Sequence, residues 1–70
     1  MEYTYHINLD ERGDFFADVR DSKDNTIYEI IGWSIFEDGF MVDRKDTAGL
    51  QEYLRDLGII TENDTIALEH

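Results

Sequence analysis

The chain has 70 residues, 17 of them Asp or Glu against 6 Lys or Arg, for a formal net charge of −11. Spread along the whole length, that excess argues against direct binding to DNA, RNA or an anionic membrane surface, where affinity comes largely from Lys and Arg meeting phosphate. The absence of cysteine rules out disulfides and thiolate zinc sites.

The N-terminal half has a period of two. Tyr3, Tyr5, Ile7 and Leu9 alternate with Thr4, His6, Asn8 and Asp10, which predicts a strand with one buried face. Asp10-Glu11-Arg12-Gly13-Asp14 reads as a turn. A second strand follows, with Phe15, Ala17 and Val19 inward and Phe16, Asp18 and Arg20 outward. Asp21-Ser22-Lys23-Asp24-Asn25 is another turn of the same length, so the strands are expected to form an antiparallel meander.

A third strand starts at Thr26 but carries apolar residues of both parities. Ile27, Ile31, Trp33 and Ile35 share one, and Tyr28, Ile30 and Phe36 the other, which points to a bend near Gly32. Asp38-Gly39 between Phe36-Glu37 and Phe40-Met41 is a hairpin signal, and a short strand through Val42 would close a four-stranded sheet. From Asp46 the period becomes helical. Leu50, Tyr53, Leu54 and Leu57 lie on one helical face, Asp46 is placed to cap the N-terminus, and Gly58 fits the residue after the C-cap with Ile59 in apolar contact behind it. The helix is expected over Thr47–Leu57, with Ile59 and Ile60 anchoring the chain to the core. Thr65–Leu68 is either a short final strand or a frayed end.

The expected fold class is therefore α+β: an antiparallel β-meander of three to four strands with one amphipathic C-terminal helix packed on one face. Residues 1–67 form one domain. Leu68-Glu69-His70 resemble the start of a Leu-Glu-polyhistidine expression tag, and no function is attached to His70. High net charge alone would suggest disorder, but aromatic and β-branched residues run throughout and proline is absent. The longest mostly apolar stretch, Ile30 to Phe36, is far short of the ~20 residues a bilayer needs, so a cytoplasmic protein is expected.

No catalytic signature stands out. Ser22 and Ser34 lack a nucleophile elbow, the glycines are isolated, and His6 falls on the polar parity of its strand. The acidic turn Asp21–Asn25 lacks the ligand spacing of a calcium loop and places Lys23 among its carboxylates. Paired carboxylates such as Glu37/Asp38 and Glu62/Asp64 lie in expected turns, where solvent keeps both ionised. The chain is accordingly expected to be no enzyme and to use no cofactor or metal.

What remains is surface. Glu52 and Asp56 form a like-charged i, i+4 pair on the helix. Strand residues two apart are separated by roughly 6.5–7 Å, so carboxylates on one sheet face could form a row. Phe16 faces away from the helix and is expected to join an apolar patch with Tyr28/Ile30 or with Phe36/Phe40. The expected interaction surface is Phe16, Asp18, Glu37, Asp38, Phe40, Glu52 and Asp56. The composition resembles that of small acidic phage proteins that mimic nucleic acid, including antirestriction and anti-CRISPR proteins; no motif matches, so no residue role carries over. The leading expectation is a small acidic, non-catalytic interaction protein that binds a basic protein partner, one version being a nucleic-acid mimic that meets a nucleic-acid-binding protein. The alternative is a homodimeric structural or regulatory domain built on the sheet face around Phe16, whose acidity serves solubility alone.

Overall fold

The computed structural model describes residues 1–69. Its elements are β1 (Glu2–Leu9), β2 (Phe15–Arg20), β3 (Thr26–Ile31), a short helix α1 (Ser34–Glu37), the main helix α2 (Thr47–Asp56) and β4 (Thr65–Leu68). The domain is α+β, with a four-stranded mixed sheet in the order β3-β2-β1-β4. β1, β2 and β3 form the antiparallel meander, whereas β4 runs parallel to β1 at the far edge. The sheet is thus not purely antiparallel, and its fourth strand comes from the C-terminal segment.

The two meander loops are built alike. Asp10 Oδ1 accepts the N–H groups of Arg12 and Asp14, and Asp21 Oδ1 accepts those of Lys23 and Asn25, all at 2.9 Å. In each loop the fourth residue has positive φ, Gly13 at 79° and Asp24 at 66°. A short carboxylate that reaches its own backbone two and four residues on fixes the loop without any tertiary contact.

The expected hairpin at Asp38-Gly39 is absent. A two-residue type I′ hairpin needs positive φ at both central residues, and Asp38 is right-handed at φ −77°. Gly39 instead terminates α1. Its N–H donates to the Phe36 carbonyl, and the Phe40 N–H donates to that of Ile35, both at 3.1 Å, which together make a Schellman ending. No strand forms over 40–42. α2 ends in the same way, Gly58 donating to Arg55 and Ile59 to Leu54, each at 3.0 Å. Both helix ends therefore satisfy their last carbonyls within a single turn.

One buried cluster contains Tyr5, Phe15, Ala17, Val19 and Ile30 from the meander, Leu50 and Leu54 from α2, and Ile35, Met41, Ile60 and Ile66 from the segments around them. Leu57 and Ile59, expected inside, are exposed. Leu57 follows the last helical turn, and of the two isoleucines only Ile60 points inward. Tyr5 is fully buried and its hydroxyl donates to the Arg44 carbonyl at 2.7 Å, which ties the 42–46 loop to the middle of β1. Burial, reinforced by the Asp43 charge, holds its phenol well above the usual range. Asp46 caps α2 by accepting the Gly49 N–H at 2.9 Å and reaches back to the Val42 N–H at 2.7 Å. Of the segment read as a tag, Leu68 pairs with Tyr5 in β4, and Glu69 donates its N–H to the Tyr5 carbonyl at 3.0 Å. His70 lies outside the described residues.

Candidate interaction surface

Strand alternation divides the sheet into two faces. Tyr5, Phe15, Ala17, Val19 and Ile30 line the core side. The opposite face is read directly from the register. His6 stands beside Asp18 and Asp18 beside Glu29; in the next row Asn8 stands beside Phe16 and Phe16 beside Ile31.

Asp18 is the one charged residue that this face buries, at 7% exposure. It is paired. Arg20, two residues along the same strand face, donates Nε to Asp18 Oδ1 at 2.9 Å and Nη2 to Oδ2 at 3.2 Å, and reaches Asp24 at 3.2 Å with Nη1. The bidentate bond to Asp18, backed by Asp24, raises the guanidinium pKa further. His6 Nδ1 contacts the Glu69 carboxylate. On the polar half of the face Asp18 is thus neutralised by Arg20, while its neighbour Glu29 has no such partner among the described residues, so the face is not an uninterrupted row of free carboxylates.

The other half is apolar. Ile31 is 73% exposed and its cross-strand neighbour Phe16 is 39% exposed. With Leu9, Asn8, Phe15 and Gly32 they line a depression of about 430 Å³ whose rim carries Asp10 and Asp14. Asp18 and Glu29 bound the same two apolar residues one row away. An apolar centre therefore lies between the Asp10 and Asp14 carboxylates on one side and Glu29 on the other, Asp18 being neutralised by Arg20. Trp33 follows Gly32 with its ring 5.1 Å from Phe15 and 5.3 Å from Phe36, and is 43% exposed.

The apolar partner of Phe16 differs from those expected. Tyr28 and Ile30 face the core side, Phe36 packs edge-on against Phe15 at 5.1 Å, and Phe40 lies 4.3 Å from Tyr53. Ile31 takes the place. The adjacent pair Ile30-Ile31 was the available signal, since successive strand residues face opposite sides and one of the two had to point outward.

The seven expected surface residues fall in three places. Phe16 and Asp18 share the open sheet face. Glu37 and Asp38 form the end of α1. Phe40, Glu52 and Asp56 line a shallow depression of about 210 Å³ with Gly39, Gly49 and Tyr53. The carboxylates also divide by role. Asp10, Asp21, Asp43, Asp46 and Asp64 each accept backbone N–H groups in turns or caps. The N–H of Asn25 holds the Asp21 carboxyl below its usual range; those of Val42 and then Gly49 do so for Asp46, and that of Thr61 for Asp64. Glu29, Glu37, Glu52 and Asp56 have no such partner among the described residues and present free charge.

Among the described residues no group of three or more His, Asp or Glu side chains is gathered closely enough to hold a metal ion, and no helix is long and apolar enough to cross a membrane. Comparison with protein-family models, curated proteins and solved structures finds no match.

Proposed function

We propose that this chain is a non-catalytic interaction module that binds a basic protein partner through the end of the open sheet face. The observation that carries this reading is the exposed Phe16–Ile31 pair set between Asp10 and Asp14 on one side and Glu29 on the other. An apolar centre with a charged rim is the usual anatomy of a specific protein interface, the centre supplying affinity and the rim steering and orientation. A net charge of −11 makes the rim a long-range attractor for a basic surface and a repeller of acidic ones. The nucleic-acid-mimic version asks for an unbroken carboxylate row, and on this face Arg20 and His6 interrupt it. Support is accordingly stronger for a rimmed apolar contact than for imitation of phosphate spacing.

The test is capture at low salt from the source cell, with the wild-type chain and the Ile31→Asp variant immobilised in parallel. Ile31 is mostly exposed, so the substitution leaves the core intact. A basic protein retained by the wild type, released by added salt and not retained by Ile31→Asp, is the expected result. Equal retention by both proteins, or none by either, overturns the proposal. Light scattering covers the alternative: a salt-insensitive dimer that Ile31→Asp dissolves would assign the same patch to a second copy of the chain.

A further inference from the structure

The two edges of the sheet are treated differently. At one edge β4 is only four residues long, and its Ile66 N–H donates to Gln51 Oε1 on α2 at 2.6 Å. That side chain stands where the carbonyl of an added strand would have to go. At the other edge β3 has six residues, and among the described residues β2 is the only strand bonded to it.

The ladder pattern shows which backbone groups of β3 are free. The Gly32 N–H donates to the Phe15 carbonyl at 2.8 Å. Bonding pairs alternate along an antiparallel ladder, so Ile30 and Tyr28 also turn toward β2. Glu29 and Ile31 direct their N–H and C=O groups outward, and among the described residues nothing bonds to them. Sheet edges are ordinarily protected by a lysine, a proline, a bulge or a covering element. β3 has no lysine or proline, and the ladder irregularity sits at its far end, opposite Val19 and Arg20. Four of its six residues are apolar or aromatic.

We propose that β3 is a strand-addition site for an extended segment of a basic protein partner, with a Lys or Arg opposite Glu29 and an apolar side chain opposite Ile31. The inference rests on the interaction reading above and specifies its mode. Backbone bonds to Glu29 and Ile31 would hold the segment, and its side chains of one parity would extend the open face beside the Phe16–Ile31 pair. Charge selects the occupant. A second copy brings −11 against −11, and a symmetric antiparallel pairing centred on Glu29 sets two carboxylates directly opposite each other, which is destabilising. A basic segment instead places a cation against Glu29, whose carboxylate has no partner among the described residues, and is drawn in by the net charge of −11.

The experiment uses the full chain and a short synthetic peptide in which lysine and valine take turns at every second position, with threonine between them, so that lysine can face Glu29 while valine faces Ile31, and a counterpart carrying glutamate for lysine. Amide hydrogen exchange is followed residue by residue at low salt. The lysine peptide is expected to slow exchange at Glu29 and Ile31 by roughly tenfold or more, while Ile66 is unchanged and the glutamate peptide has no effect. Ile31→Pro removes one outward donor without removing a ladder bond and is expected to weaken binding of the lysine peptide several-fold. Should that variant lose its fold, the exchange result on the wild type decides alone. If the lysine peptide perturbs Asp10, Asp14 and Phe16 while Glu29 and Ile31 exchange at their free rates, strand addition is wrong and the interaction surface stands. If it perturbs nothing, both readings lose their support. Protection of Glu29 and Ile31 that appears without peptide and grows with protein concentration gives the edge to a second copy and overturns the assignment.

Discussion

Gly49, in the first turn of α2, lies directly against the carbonyl oxygen of Phe40. A Cβ built on it would meet that oxygen and the Asp46 carboxylate well inside van der Waals contact. Its φ is ordinary for a helix, so close approach is what demands glycine here. In an open helix Gly→Ala gains up to about 1 kcal/mol. Here Gly49→Ala is expected to destabilise by about 1–3 kcal/mol, because the atoms it meets are a backbone carbonyl and the cap itself. Urea unfolding reads the change as a lower midpoint; a midpoint equal to or above the wild type would show that the 40–46 loop yields.

Asp46 joins two segments, accepting N–H groups from Val42 and Gly49. Asp46→Ala is expected to cost about 0.5–2 kcal/mol, as lost N-caps do. Those bonds depress the folded-state pKa, so the contribution is fully present above the unfolded carboxylate value of about 3.9 and is lost as pH falls through the lower folded value. Asp21 and Asp64 are shifted the same way and weaken over the same acid window. Stability measured against pH for the wild type and Asp46→Ala should therefore converge below about pH 4. A gap that persists undiminished into acid would contradict the cap assignment.

Asp24 holds a left-handed conformation in the second loop, where the first loop has glycine. Comparing Asp24→Gly with Asp24→Ala removes the Arg20 contact from both and isolates the backbone. Glycine is expected to be the more stable of the two by about 1 kcal/mol, reversing the usual order. Thermal melts of the two variants under one buffer decide it, and an alanine variant that melts higher would mean that the loop relaxes to another turn.

Tyr28 and Tyr53 share a hydroxyl contact at 3.2 Å, with their rings edge to face at 6.1 Å. Burial first, and then the bond to Tyr53, pushes the Tyr28 phenol up to about 12. A raised folded-state value means that stability is complete below the unfolded phenol value of about 10 and declines as pH rises through the folded one. Alkaline unfolding should begin above about pH 10. In Tyr53→Phe, ultraviolet titration should show Tyr28 ionising at lower pH than in the wild type, though still above the free value because burial remains. An unchanged Tyr28 titration would remove the hydroxyl contact from the account.

Local features were legible wherever a few neighbouring residues suffice. The two Asp-led loops, the alternation of β2, the Asp46 cap and the Gly58 ending follow from side chains that reach their own backbone or from a simple period. Asp38-Gly39 shows where this stops. A glycine at positive φ serves a hairpin and a helix ending equally well, and the dipeptide does not say whether the preceding residue is right- or left-handed. The Trp33–Glu37 turn resolves it, because Trp33 and Phe36 both pack on Phe15 and draw that segment into a helical turn. The candidate site was legible in half: Phe16 faced outward by parity, whereas Ile31 as its neighbour depended on register.

By itself the sequence determined the acidic character, the meander and its loops, the span and N-cap of the main helix, and the absence of thiol and disulfide chemistry. Each of these depends on composition or on contacts a few residues apart. Only the tertiary structure decided that the C-terminal strand pairs parallel with β1, that Asp18 is buried with Arg20, and that Phe16 and Ile31 meet on the open face with β3 left as an unguarded edge. Those are relations between distant segments, set by ladder register and by which strand lies next to which, and a linear pattern of apolar and charged residues is compatible with several such arrangements.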